Sequence, residues 1–175
     1  EFYGYGVKGF ILSMIECALE LSNYQIGQKT IDKILNIGKE MLEKPIILLD
    51  GIEHVLETLQ GSYKLVVATK GDLLDQERKL EKSNLLKYFH HIEVMSDKKD
   101  KDYLRLIQHL DIEASELLMI GNSLKSDVLP LISIGASAIH VPFHTTWAHE
   151  EVSKENQTNA TYKTVSNIRE VVPDL

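Results

Sequence analysis

Apolar residues recur at helical spacing over two early stretches, from about Val7 to Leu21 and from about Thr30 to Leu42. Both read as amphipathic helices, joined near Asn23 to Gly27. Tyr3-Gly4-Tyr5-Gly6 before them reads as a turn or loop. Apart from a short run from Ile46 to Leu49 after Pro45, no strand pattern occurs before Lys64. From Leu49 the pattern changes. A helix from Gly51 to about Leu59 leads to a short apolar strand, Lys64 to Ala68, which ends in Thr69-Lys70-Gly71. A charged helix, Asp72 to Leu86, precedes a strand from His91 to Met95 that ends in Ser96-Asp97-Lys98-Lys99. Next come a helix from Asp102 to Leu110, a strand from Leu117 to Ile120, a helix from about Ser126 to Ile134 and a strand from Ser137 to Val141. Lys163 to Val165 fits a short edge strand, and Ser166 to Val172 a last helix. Strands alternating with helices predict a parallel sheet with right-handed crossovers, an α/β, Rossmann-like core. The helical N-terminal part reads as a separate subdomain, residues 1–44 against 45–175 for the core.

Composition narrows the picture. The 175 residues are 43% hydrophobic and 26% charged, enough for one sizeable core. The net charge of −7 and the lack of a basic stripe argue against nucleic acid as a partner. No apolar run reaches membrane-spanning length, so no membrane partner is expected. The one cysteine, Cys17, excludes an internal disulfide. It falls in the apolar pattern Phe10, Met14, Cys17, Ala18, Leu21, which predicts a buried, reduced thiol.

The chemistry gathers at strand ends. In a parallel sheet these share one edge, where open α/β folds place ligands. Thr69 follows one strand, Lys98 another, and Asn122 and Asp127 a third, in the stretch LLMIGNSLKSD (117–127). The grouping suits a phosphoryl group. The Thr69 hydroxyl and the N–H groups of Lys70 and Gly71 can bind phosphate oxygens, assisted by the following helix N-terminus. Lys98 supplies a point charge. Asp127 and the Asn122 side-chain oxygen are hard ligands of the kind Mg²⁺ accepts. Singly, each has a plainer reading: Thr69 as a helix cap, Lys98 as a solvated charge, Asp127 as an acid in a helix first turn. Their shared placement favours a site.

These strings resemble the haloacid dehalogenase superfamily, mostly magnesium-dependent phosphohydrolases. ATKGD (68–72) matches the second motif, SDKK (96–99) the third and GNSLKSD (121–127) the fourth; VLPLISIGASAIHVP (128–142) fits the course after it. The resemblance implies that residues 1–44 form the helical cap and that Thr69 binds the transferring phosphoryl group. It implies that Lys98, or its neighbour Lys99, neutralises nucleophile and phosphoryl oxygens, and that Asp127 holds Mg²⁺ directly or through water. Asn122 stands where the family has Asp, keeping an oxygen but dropping a charge. It implies a cytoplasmic enzyme that hydrolyses a small phosphomonoester through an aspartyl-phosphate intermediate; a non-catalytic phosphate- or partner-binding relative is the alternative.

The family's first motif, Asp-x-Asp at a strand end, supplies the nucleophile and the general acid/base. Asp72 and Asp75 have the wrong spacing, Asp100-Lys-Asp102 follows a polar stretch, and Asp50 precedes a helix. The motif is therefore expected upstream of Glu1. The corresponding strand, central in the sheet, would then be missing between those ending at Thr69 and Asn122, and residues 1–175 alone are expected to be inactive. His144, His149 and Glu150 read as a loop bordering the site rather than a metal site, with Trp147 as packing, because the histidines lack the i, i+4 spacing of helical zinc pairs. Lys8 reads as the surface start of a helix.

Overall fold

A computed structural model describes residues 2–145, 152 and 161–174. The chain divides into two compact units, Glu1–Leu48 with Val66–Ser96, and Leu49–Leu65 with Asp97–Leu175.

The first unit holds helices α1 (Val7–Leu21) and α2 (Gln28–Glu43), strand β1 (Val66–Lys70), helix α4 (Leu73–Ser83) and strand β2 (His91–Met95). Helices α1 and α2 pack together with Ile11 and Ile34 buried. Gly38 makes the contact close: a Cβ there would lie 2.7 Å from Cγ1 of Ile11. The buried face of α1 is not the expected one. Gly9 and Ile11 are buried, Met14, Ile15 and Ala18 are half-buried, and Phe10, Cys17 and Leu21 are exposed. Cys17 is thus a surface thiol, not a core one. Helix α1 is apolar on more than one side, so its period could not select the side that packs.

β1 and β2 pair in parallel, from Val66 opposite His91 to Lys70 opposite Met95. This register places Thr69 and Lys70 inside the strand rather than after it. Helix α4 is the crossover between them. It begins at Asp72, whose side chain accepts from Asp75 N at 3.1 Å, an N-cap bond. It ends at Asn84, which adopts φ 58°, a left-handed conformation that asparagine tolerates. A separate 3₁₀ turn, Leu86–Tyr88, follows, so the single helix expected over 72–86 is two pieces.

The second unit holds α3 (Ile52–Leu59), α5 (Asp100–Leu110), β3 (Leu118–Gly121), α6 (Leu129–Ser133), β4 (Ser137–His140) and β5 (Lys163–Thr164). Its sheet runs β3–β4–β5, all parallel, with Leu118 opposite Ser137 and Ile139 opposite Lys163. Ile139, Val165 and Val171 form a buried cluster with Leu118, Ile120, Val141 and Ile168 packed against it. The last segment, Ile168–Asp174, is 3₁₀ rather than α-helical and packs against α3. Between β3 and α6 the chain makes a π-helical turn, Leu124–Val128, where one α-helix was expected. Pro130 sits at the start of α6, where its missing N–H costs nothing.

The α/β, Rossmann-type character expected from the alternation is present, as two parallel ladders. β1 and β3 each stand at the edge of their own sheet.

Candidate functional site

In the first unit the site residues lie at the carboxyl end of β1. Thr69 is half-buried, and its Oγ1 donates to Oε1 of Gln76 at 3.1 Å, with the Lys70 carbonyl a longer alternative at 3.4 Å. Gln76 belongs to α4, one turn beyond the Asp72 cap. Gly71 turns the chain from β1 into α4 with φ 132°, a conformation that disfavours side chains. A Cβ on Gly71 would lie 3.1 Å from Nε2 of Gln76, so the glycine also lets that amide rest against the loop.

The N-terminal segment of α1 meets the same loop. Lys8 Nζ lies 2.8 Å from Asp72 Oδ1, and Lys70 Nζ lies 4.8 Å from the centre of the Tyr5 ring. Lys8 is therefore more than a surface helix start. Its hydrogen bond is the main reason the Asp72 carboxyl titrates below its usual range. Partial desolvation opposes this shift, and the Asp75 N–H and the Lys8 and Arg78 charges reinforce it.

In the second unit, Lys98 and Asp127 meet across 29 residues of sequence, Nζ to Oδ1 at 2.7 Å. Their side chains are 10% and 6% exposed. The π-helical turn folds Asp127 back toward the strand end, and Oδ2 accepts the Ser123 N–H at 3.0 Å. Gly121 makes room: a Cβ there would fall 2.5 Å from the Asp127 carboxylate. The turn is held from outside by Tyr103, fully buried, whose hydroxyl donates to the Ser126 carbonyl at 2.8 Å. Lys99 goes elsewhere. Its side chain is 69% exposed and pairs with Asp97 Oδ2 at 2.8 Å. Asn122 is exposed, and its carbonyl lies 3.1 Å from Nε2 of His140.

The residues expected to hold Mg²⁺ suit a hard cation. A carboxylate has about four lone-pair sites, so Asp127 keeps acceptor capacity beyond its two bonds. The absence of a side chain at Gly121 leaves the space that the Asp127 carboxylate occupies. Mg²⁺ needs only one or two protein carboxylates when phosphate and water complete its shell.

Thr69, Lys98, Asn122 and Asp127 were expected to converge at one sheet edge; Thr69 lies in the first unit, and Lys98 and Asp127 meet in the second. Sequence reasoning missed Gln76 and Ser123. No string marks Gln76, since it is one polar residue among many on a charged helix. His144 is exposed, its ring centre 4.0 Å from that of Phe143 and the two rings tilted by 43°. His149, Glu150 and Trp147 lie outside the described residues.

A family model for haloacid dehalogenase-like hydrolases matches residues 3–135. A haloacid dehalogenase-like family hydrolase from Xanthomonas campestris is 40% identical, with a TM-score of 0.77 over 83% of this chain. The chain belongs to the haloacid dehalogenase-like hydrolases. It spans 62% of the Xanthomonas protein's length. Two more distant structures share the fold. A haloacid dehalogenase phosphatase from Thermococcus onnurineus is 20% identical, with a TM-score of 0.60 over 89% of this chain and 67% of its own. The putative hydrolase YfnB from Bacillus subtilis, solved bound to magnesium, is 14% identical, with a TM-score of 0.63 over 97% of this chain and 82% of its own. No curated protein matches. No helix among the described residues is long and apolar enough to cross a membrane.

Proposed function

We propose that the protein to which this chain belongs is a Mg²⁺-dependent phosphohydrolase of small phosphomonoesters, working through an aspartyl-phosphate intermediate. The observation that carries this reading is the buried Lys98–Asp127 pair at 2.7 Å, which joins the third- and fourth-motif strings by their side chains. Family membership and the phosphatase among the structural relatives support it.

In this reading Thr69 donates its hydroxyl to a phosphoryl oxygen, and the N–H groups of Lys70 and Gly71 bind others. Lys98 screens the nucleophile's charge from that of the incoming phosphoryl group, an electrostatic task suited to a point charge on a flexible stem. Asp127 would hold Mg²⁺, with Asn122 as a second oxygen ligand. The ion would supply charge stabilisation to the phosphoryl oxygens. The nucleophilic aspartate is assigned to a segment preceding Glu1, because Asp100 and Asp102 begin α5 and Asp50 lies in a turn. Helices α1 and α2, residues 1–44, are assigned as the cap, and the enzyme is assigned to the cytoplasm.

The test is a phosphomonoester screen of the full-length protein with Mg²⁺. Turnover that vanishes on chelation and returns with Mg²⁺ is expected. Tight phosphate binding without turnover would instead identify a binding relative of the fold.

A further inference from the structure

The mechanism asks Thr69 to donate to a phosphoryl oxygen, yet the hydroxyl already donates elsewhere. A threonine hydroxyl has one proton, and a phosphate dianion only accepts. That proton points at Gln76 Oε1, 3.1 Å away. The Gln76 amide is also confined on its other side, since its Nε2 rests where Gly71 has no Cβ, 3.1 Å from that position. A terminal amide torsion is broad and nearly two-fold. A half-turn exchanges Nε2 for Oε1. The amide then donates to Thr69 Oγ1, whose proton is released toward the strand end. Among side chains of this length, only glutamine both accepts and donates while uncharged.

We propose that Gln76 is the positioning residue for the Thr69 hydroxyl: it accepts the proton when no phosphate is bound, and turns to donate when phosphate binds. This rests on the phosphohydrolase reading but adds a residue to it. The same arrangement explains why the loop needs a glycine at 71, because a side chain there would press on the amide as it turns.

The test compares Gln76→Met and Gln76→Glu with wild type in the full-length protein, each also in a Thr69→Val background. KM for p-nitrophenyl phosphate with Mg²⁺ and the inhibition constant for inorganic phosphate are read together with the thermal transition. Gln76→Met is expected to weaken phosphate several-fold, roughly the worth of one neutral hydrogen bond. Gln76→Glu, which can only accept, is expected to weaken it on the order of tenfold or more, since bonds to charged groups are stronger. In Thr69→Val the methionine effect should vanish and the glutamate effect should shrink to its charge repulsion. Equal effects in both backgrounds, or a Gln76→Glu protein with wild-type phosphate affinity, would overturn the assignment. Should Gln76→Glu lose its thermal transition, the Gln76→Met pair decides alone. A wild-type protein that neither turns over nor binds phosphate removes the functional reading itself, and this inference with it.

Discussion

At the residue scale, the most consequential pair is Lys98 and Asp127. Burying two charges is costly, and their attraction offsets the cost only while both are present. Lys98→Met should therefore destabilise the protein by about 3–5 kcal/mol, and the double variant Lys98→Met/Asp127→Leu by clearly less, measured by urea unfolding. Equal losses would mean that the carboxylate is stabilised by the Ser123 N–H alone. Gly121→Ala tests the recess from the other side. Its Cβ would meet the carboxylate at 2.5 Å, and overpacking of this kind costs about 1–3 kcal/mol. Asp72 offers a test by pH. Its carboxyl titrates low in the folded state, chiefly through the Lys8 hydrogen bond. A depressed folded value means that its contribution to stability is full above the unfolded carboxylate range and is lost as pH falls through the folded value. Lys8→Met should move the Asp72 titration upward toward the ordinary carboxylate range, followed by the carboxyl carbon signal in NMR. An unmoved titration would show that Lys8 does not hold the group.

At the scale of elements, helices α1 and α4 and strand β1 differ from their sequence-based expectations, as do the π-helical turn before α6 and the last 3₁₀ segment. Helix α1 presents apolar residues on several sides, so periodicity alone did not choose between the Phe10–Cys17 side and the Ile11–Ala18 side. Packing against Gly38 of α2 made the choice. Gly38→Leu should break that contact and cost about 1–3 kcal/mol, seen as a lowered thermal midpoint with helix content largely kept. A tolerated Gly38→Leu would show that the two helices can part without loss. Strand β1 runs two residues further than its apolar core, because pairing with His91–Met95 carries Thr69 and Lys70 into the ladder despite their polarity. Helix α4 stops at Asn84, where the chain turns left-handed, a local stop signal that the apolar pattern running on to Leu86 masked.

At the scale of the whole molecule, the prediction concerns the metal. Asn122 offers a neutral oxygen where the resemblance implies a carboxylate, and divalent affinity follows ligand charge and number. On the proposed function, Asn122→Asp in the full-length protein should lower the Mg²⁺ concentration for half-maximal turnover several-fold. An unchanged or raised requirement would remove Asn122 from the ligand set. The cap assignment of residues 1–44 belongs to this scale as well. The Lys8–Asp72 and Tyr5–Lys70 contacts bring α1 and its leading loop to the carboxyl end of β1, the strand that carries Thr69.

The order of strands and helices, the parallel sense of the ladders and the strings ATKGD, SDKK and GNSLKSD were legible in the linear chain, because period and turn chemistry are local properties. Which lysine of a neighbouring pair turns inward, which face of an apolar helix is covered, and which acceptor takes a threonine's single proton were not. The first two depend on partners far away in sequence, Asp127 for Lys98 and Gly38 for α1, and the third on how the end of β1 meets the first turn of α4. Lys98 and Lys99 differ by one position, yet the first is turned in to a buried carboxylate and the second stays exposed beside Asp97, and only folding brought Asp127 within 2.7 Å of the first.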